Sequence, residues 1–175
     1  MPIGVRHSAS AAGNQPQSTW RTLLIYGERN EARRLALRAC LEYARMGGRS
    51  LYLQQRTIAI DDSVLRSTED SVDLVLGVFE SLDEVPILIS EIRPSLAVID
   101  PVNGGAGGWE TRRRIASELF KAIEVAERRK VRLILLCEMT DWGGVSKPRL
   151  YATISRFCDR ELEVRLEEPQ YQGRR

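Results

Sequence analysis

The sequence predicts an α/β fold: a mostly parallel, mixed sheet flanked by helices. Three observations predict it. Short apolar runs alternate with segments of helical length and periodicity, several of those runs are apolar along their whole length, and glycine or proline marks most of the boundaries.

The elements follow in order. Thr22–Tyr26 (TLLIY) is a short apolar run closed by Gly27, the pattern of a buried strand. Asn30 is placed to cap the next helix, whose broad apolar face carries Leu35, Leu37, Ala39, Leu41 and Ala44 and which stops at Gly47–Gly48. Ser50–Gln55 (SLYLQQ) and Val72–Phe79 (VDLVLGVF) read as two further strands. Asp83–Ile92 reads as a helix that tolerates Pro86 in its first turn and is closed by Pro94. Ser95–Asp100 (SLAVID) is another buried strand, followed by the flexible loop PVNGGAGG. Trp109–Lys130 is a long amphipathic helix with Ile115, Leu119, Ala122, Ile123 and Ala126 on one side. Val131–Glu138 (VRLILLCE) is the most hydrophobic strand. After the loop TDWGGVSKP and the segment LYATISRF, the alternation in RELEVRLEE predicts an edge strand with one wet face. Residues 1–19 are expected to be a disordered leader, 20–168 one core domain and 169–175 a flexible tail.

Composition narrows the class of protein. A length of 175 residues suits one domain, and 43% hydrophobic with 29% charged residues excludes wholesale disorder. No run approaches the ~18 apolar residues that span a bilayer, and the first twenty residues lack the apolar core of a secretory signal. An intracellular protein is expected: cytoplasmic if prokaryotic, nuclear if eukaryotic. Cys40, Cys137 and Cys158 are scattered, and His7, the single histidine, lies in the leader, so no metal site and no Cys–His or Ser–His nucleophile is expected. Charge is segregated. Residues 1–60 carry nine arginines against three acids, 61–110 two basic against eleven acidic residues, and 111–175 fifteen basic against ten acidic residues. Such a division suits a basic face for nucleic acid and an acidic face for a protein partner.

The ligand side of a parallel sheet is the carboxyl end of its strands, here Gly27, Gln54–Arg56, Asp100 and Glu138. In this order the segments resemble the core of the RecA/RadA recombinase superfamily, a P-loop NTPase-like core, and its short, divergent recombinase paralogues in particular. TLLIYG followed by a helix stands where that family has its Walker A loop. RPSLAVID resembles the Walker B strand, with Asp100 at the magnesium-linked aspartate. VRLILLCEMT is similar to the strand before the second DNA-binding loop, and KPRLYATISRFCDRELEVRLEE to the closing hairpin. The resemblance runs from Trp20 to Glu168 and rests on order and spacing.

The departures fall on the chemistry. A Walker A loop needs glycines so that backbone N–H groups wrap phosphate, a lysine for the β/γ phosphates and a hydroxyl for magnesium. In GERNEARR only Gly27 remains. Ala32 adds a Cβ, Arg33 replaces the lysine, Arg34 cannot ligate magnesium, and Glu28 and Glu31 place carboxylates near a polyanion. Arg56 stands where the resemblance implies a water-activating glutamate, and Glu138 where it implies a glutamine. Gly27, Arg33, Arg34 and Asp100 therefore read as a degenerate nucleotide site, with no catalytic residue and no cofactor expected. Asp100 as a cation ligand or as a cap on the loop before Pro101, and Arg33 and Arg34 as phosphate ligands or as partners of Glu28 and Glu31, stay open at this point.

Basic residues supply the other site. Arg112, Arg113 and Arg114 open the long helix after Trp109, and Lys147 and Arg149 flank the loop in which Trp142 can stack on a base; Arg128, Arg129 and Lys130 lie near the helix's other end. The resemblance implies a non-catalytic accessory subunit in homologous recombination or DNA repair. Its partners would be single-stranded DNA, bound without sequence preference, and a recombinase or a SWIM-domain protein, in a hetero-oligomer away from membranes. The alternatives are a KaiC-like ATPase with an unconventional loop and a pure protein-interaction regulator.

Overall fold

A computed structural model of the chain describes residues 5–6, 20–56, 72–104, 108–139 and 147–165. The strands are β1 (Val5–Arg6), β2 (Thr22–Gly27), β3 (Ser50–Gln55), β4 (Leu74–Phe79), β5 (Leu96–Asp100), β6 (Arg132–Cys137) and β7 (Arg160–Val164). The helices are α1 (Arg29–Arg45), α2 (Val85–Ile92), α3 (Gly108–Arg129) and α4 (Tyr151–Ile154), with 3₁₀ turns at Leu82–Glu84 and Ser155–Phe157. The sheet order is β1-β7-β2-β6-β5-β3-β4. Strands β2 to β7 all run parallel, and only the two-residue β1 is antiparallel, beside β7. This is the predicted α/β architecture, consistent with a RecA-like, P-loop-type core.

Helices cover both faces, which is why the central strands are apolar along their length: all five residues of β5 are buried. On one face Ala36, Leu37 and Cys40 of α1 pack on Ile25, Val98 and Ile134. On the other, Ile89 of α2, Leu119 and Ala122 of α3 and Ile154 of α4 pack on Leu24, Ile99 and Leu135. Each fully buried leucine or isoleucine contributes about 1.5–3 kcal/mol, so the two layers pin the register of every central strand.

Several expectations are corrected. Asn30 does not cap α1. The N-cap is Glu28, whose Oε2 accepts the Glu31 N–H at 2.7 Å, because the helix begins two residues earlier than the apolar pattern shows. The segment expected as one helix over Asp83–Ile92 is a 3₁₀ turn, Leu82–Glu84, followed by α2, with proline in the first turn as anticipated. No closing hairpin forms from Lys147 to Val164. The α4 turn carries the chain back so that β7 joins β2 in parallel, Leu23 opposite Arg160 and Gly27 opposite Val164. Nor is β7 the edge of the sheet as expected, since Val5–Arg6, within the expected leader, pairs with Glu163 and Val164.

Candidate functional site

The strand order places β2 and β5 on either side of β6, so their carboxyl ends lie about 10 Å apart. Asp100 ends β5 with its side chain buried, and α1 begins just past the end of β2. Arg33, in the second turn of α1, reaches across this gap. Its Nε donates to Asp100 Oδ2 at 2.7 Å and its Nη2 to Oδ1 at 3.1 Å. Such a two-point pairing matches the planar guanidinium to a carboxylate, which an ammonium cannot do. Tyr52, on β3, donates from its hydroxyl to Asp100 Oδ2 at 2.8 Å. The Asp100 side chain is thus neither a loop cap nor an open cation ligand: three hydrogen bonds converge on its two oxygens.

Glu138, just past β6, extends the cluster. Its Oε1 lies 2.8 Å from Arg29 Nη2 and 3.9 Å from Arg33 Nη2. Two guanidiniums from α1 therefore face two carboxylates from adjacent strand ends. Burial opposes the Arg33 charge, but the hydrogen bonds and field of Asp100 outweigh it and hold the guanidinium pKa above its ordinary value. Burial, then the Asp100 carboxylate, push the Tyr52 hydroxyl well above the usual tyrosine range, so it stays a proton donor.

The rest of the loop is committed in the same way. Gly27 has φ +122°, and a Cβ there would lie 2.0 Å from the Val164 carbonyl oxygen. The Glu28 N–H donates to that oxygen at 2.8 Å. Gly27 is therefore required by the close approach of β7. The Glu28 carboxylate sits on the N-terminal turn of α1, where a phosphate would otherwise bind, and Arg34 pairs with Glu31 at 2.6 Å. Arg56 is exposed and pairs with Glu80. A magnesium nucleotide implied by the fold finds no open carboxylate on Asp100, no hydroxyl at position 34 and a carboxylate at the helix end. These residues do not fit it.

No protein-family model and no curated protein matches this chain. The site must therefore be read from its own geometry.

Sequence reasoning missed two members. Tyr52 lies in an apolar strand and reads as core; the signal was that a buried tyrosine needs a partner for its hydroxyl. Asn103, in the loop that the sequence marks as flexible, is buried; its Nδ2 donates to the carbonyls of Glu138 (2.9 Å) and Arg149 (3.3 Å), and its Oδ1 accepts the Glu138 N–H at 2.8 Å. One amide thereby ties the ends of β5 and β6 to the segment before α4.

The predicted DNA-binding residues are only partly brought together. Arg112, Arg113 and Arg114 are exposed on the amino-terminal part of α3, at the carboxyl end of the sheet, with Arg114 Nε 3.7 Å from Glu118. Arg149 is exposed near the same end. Lys147 is turned inward: its ammonium donates to the Tyr26 hydroxyl and lies 4.5 and 4.4 Å from the ring centroids of Tyr26 and Tyr151. Burial opposes that charge, but hydrogen bonds with both tyrosines outweigh it and raise the ammonium pKa. Trp142 and the Trp109 side chain lie outside the described residues. Arg128 and Arg129 close the far end of the 22-residue α3, and Lys130 follows them, on the order of 20 Å from Arg114.

The three cysteines are held in the thiol form. Cys40 and Cys137 are buried and Cys158 is half-buried, and burial pushes the Cys40 and Cys158 thiols up to about 12. Among the described residues no group of side chains is arranged to hold a metal, and no helix is long and apolar enough to cross a membrane.

Proposed function

We propose that this chain is a non-catalytic, RecA-like accessory subunit, a pseudo-ATPase core that acts by binding rather than turnover in homologous recombination or DNA repair. The observation that carries the reading is the pairing of Arg33 with Asp100. A protein side chain occupies the carboxylate that a nucleotide-bound magnesium would need, and Phosphoryl transfer rests on positioning and charge stabilisation that this arrangement does not offer. Isothermal titration with Mg-ATP is expected to show no saturable heat and no phosphate release above background. Micromolar binding that disappears in Asp100→Asn would overturn the pseudo-ATPase reading and favour the unconventional ATPase.

The binding partners follow from charge. Exposed Arg112, Arg113, Arg114 and Arg149 supply a basic surface at the carboxyl end of the sheet, suited to the backbone of single-stranded DNA. A recombinase or a SWIM-domain protein would be the protein partner. A gel shift with oligothymidylate should be strong at about 50 mM salt and weaken by orders of magnitude at about 200 mM. Arg112→Glu combined with Arg114→Glu should abolish it at either salt. A shift indifferent to those changes, or none at low salt, removes DNA from the proposal and leaves a protein-interaction module.

A further inference from the structure

Among the described residues, strand β4 ends the sheet, with β3 on one side. Its six residues, Leu-Val-Leu-Gly-Val-Phe, contain no charge and no proline. Edge strands of soluble proteins are ordinarily blunted by lysine, proline or a bulge, because their free N–H and C=O groups template pairing with another chain. Among the described residues none of these devices is present: β4 carries no lysine or proline, and its six residues pair with β3 in unbroken register. Leu76 is 39% and Val78 52% exposed, two of the five large apolar side chains exposed among the described residues. Both lie on the α1 side of the sheet: Leu76 is opposite Tyr52 and Val78 opposite Gln54 across β3.

We infer that β4 is a self-complementary dimer edge, pairing antiparallel with β4 of a second copy about a two-fold axis at Gly77. A two-fold axis normal to the sheet keeps both α1 layers on one side, so only residues of the same face can oppose each other. With Gly77 opposite itself, Leu76 of each copy meets Val78 of the other, and Val75 meets Phe79. The two exposed side chains thereby cover each other. Charge favours the same occupant. Arg49 pairs with Asp73 at 3.0 Å just before β4, and Arg56 pairs with Glu80 just after it. Antiparallel pairing sets one neutral ion pair beside the other at each end, with no like-charge clash. Nucleic acid would find no net positive charge on this edge. Pairing here leaves the Arg33–Asp100 site, two strands away, untouched, so dimerisation and the nucleotide-site reading stand or fall separately.

The surface is small, so the dimer should be weak, with a dissociation constant on the order of 10 µM. Sedimentation equilibrium should show the mass rising with concentration from 19.8 kDa towards twice that value. Val78→Lys places a charge on the edge and should weaken association at least about tenfold while leaving the circular dichroism spectrum unchanged. Register is read by cross-linking under mild oxidation. A mixture of Leu76→Cys and Val78→Cys proteins should form a disulfide-linked heterodimer far faster than either alone. A monomer at every concentration, a dimer indifferent to Val78→Lys, or faster cross-linking of either variant alone would each overturn the inference.

Discussion

Replacing Arg33 by alanine should lower the unfolding free energy by about 3 kcal/mol, a fall of roughly 6–12 °C in Tm for a chain of this size. The loss comes less from the attraction removed than from what is left behind. Asp100 stays among apolar strands with its side chain 3% exposed, and its remaining partner, the Tyr52 hydroxyl, cannot neutralise it. The Arg33 side chain is 20% exposed, which keeps the expected cost at the lower end for a buried pair. The triple change Arg33→Met, Asp100→Leu and Tyr52→Phe removes charge, counter-charge and donor together and should return stability to within about 1–2 kcal/mol of the starting protein. Denaturant unfolding of the two variants distinguishes the cases. If Arg33→Ala costs less than about 1 kcal/mol, the carboxylate is hydrated and open, and the closed arrangement at Asp100 is undone.

Gly27→Ala should be as damaging for a different reason, costing about 3 kcal/mol or more. The new Cβ would lie 2.0 Å from the Val164 oxygen and 2.8 Å from the Val164 carbonyl carbon and nitrogen, all backbone atoms of a paired strand. At φ +122° alanine is strained even where space exists. Relief requires β7 to move off β2, which also breaks the bond from the Glu28 N–H to Val164. Hydrogen exchange should therefore show early loss of protection at residues 160–164, ahead of the rest of the sheet. A glycine kept only for phosphate would give the opposite result: alanine would leave stability nearly unchanged, and the structural role assigned here would fail.

Strand, glycine and helix stand in the order of a phosphate-binding loop, and Gly27, Glu28 and Arg33 are each committed within the chain. Glu28 serves the helix end, Arg33 serves Asp100, and Gly27 serves the approach of β7. Arg29 and Arg33 of α1 and the carboxylates of Asp100 and Glu138 balance charge for charge.

The sequence by itself determined the α/β class, the succession of strands and helices, and the positions of Gly27, Asp100 and Glu138 at strand ends and of Arg33 in the helix that follows Gly27. These are readable because local periodicity records which residues must leave water. It also marked Arg112 to Arg114 as an exposed basic cluster, since three consecutive arginines at helical spacing cannot all face a core. Only the tertiary structure decided which charges meet. Arg33 and Asp100 are 67 residues apart in the chain, Tyr52 and Asp100 are 48 apart, and no local pattern encodes either pairing. The same holds for Lys147, which reads as a loop cation but is held by Tyr26, 121 residues away. It holds too for β7, whose alternation describes one wet face but says nothing of whether it enters the sheet by a hairpin or a crossover. Burial is a property of each residue and leaves a trace in its neighbours, whereas pairing is a property of two distant residues that the strand order alone brings together.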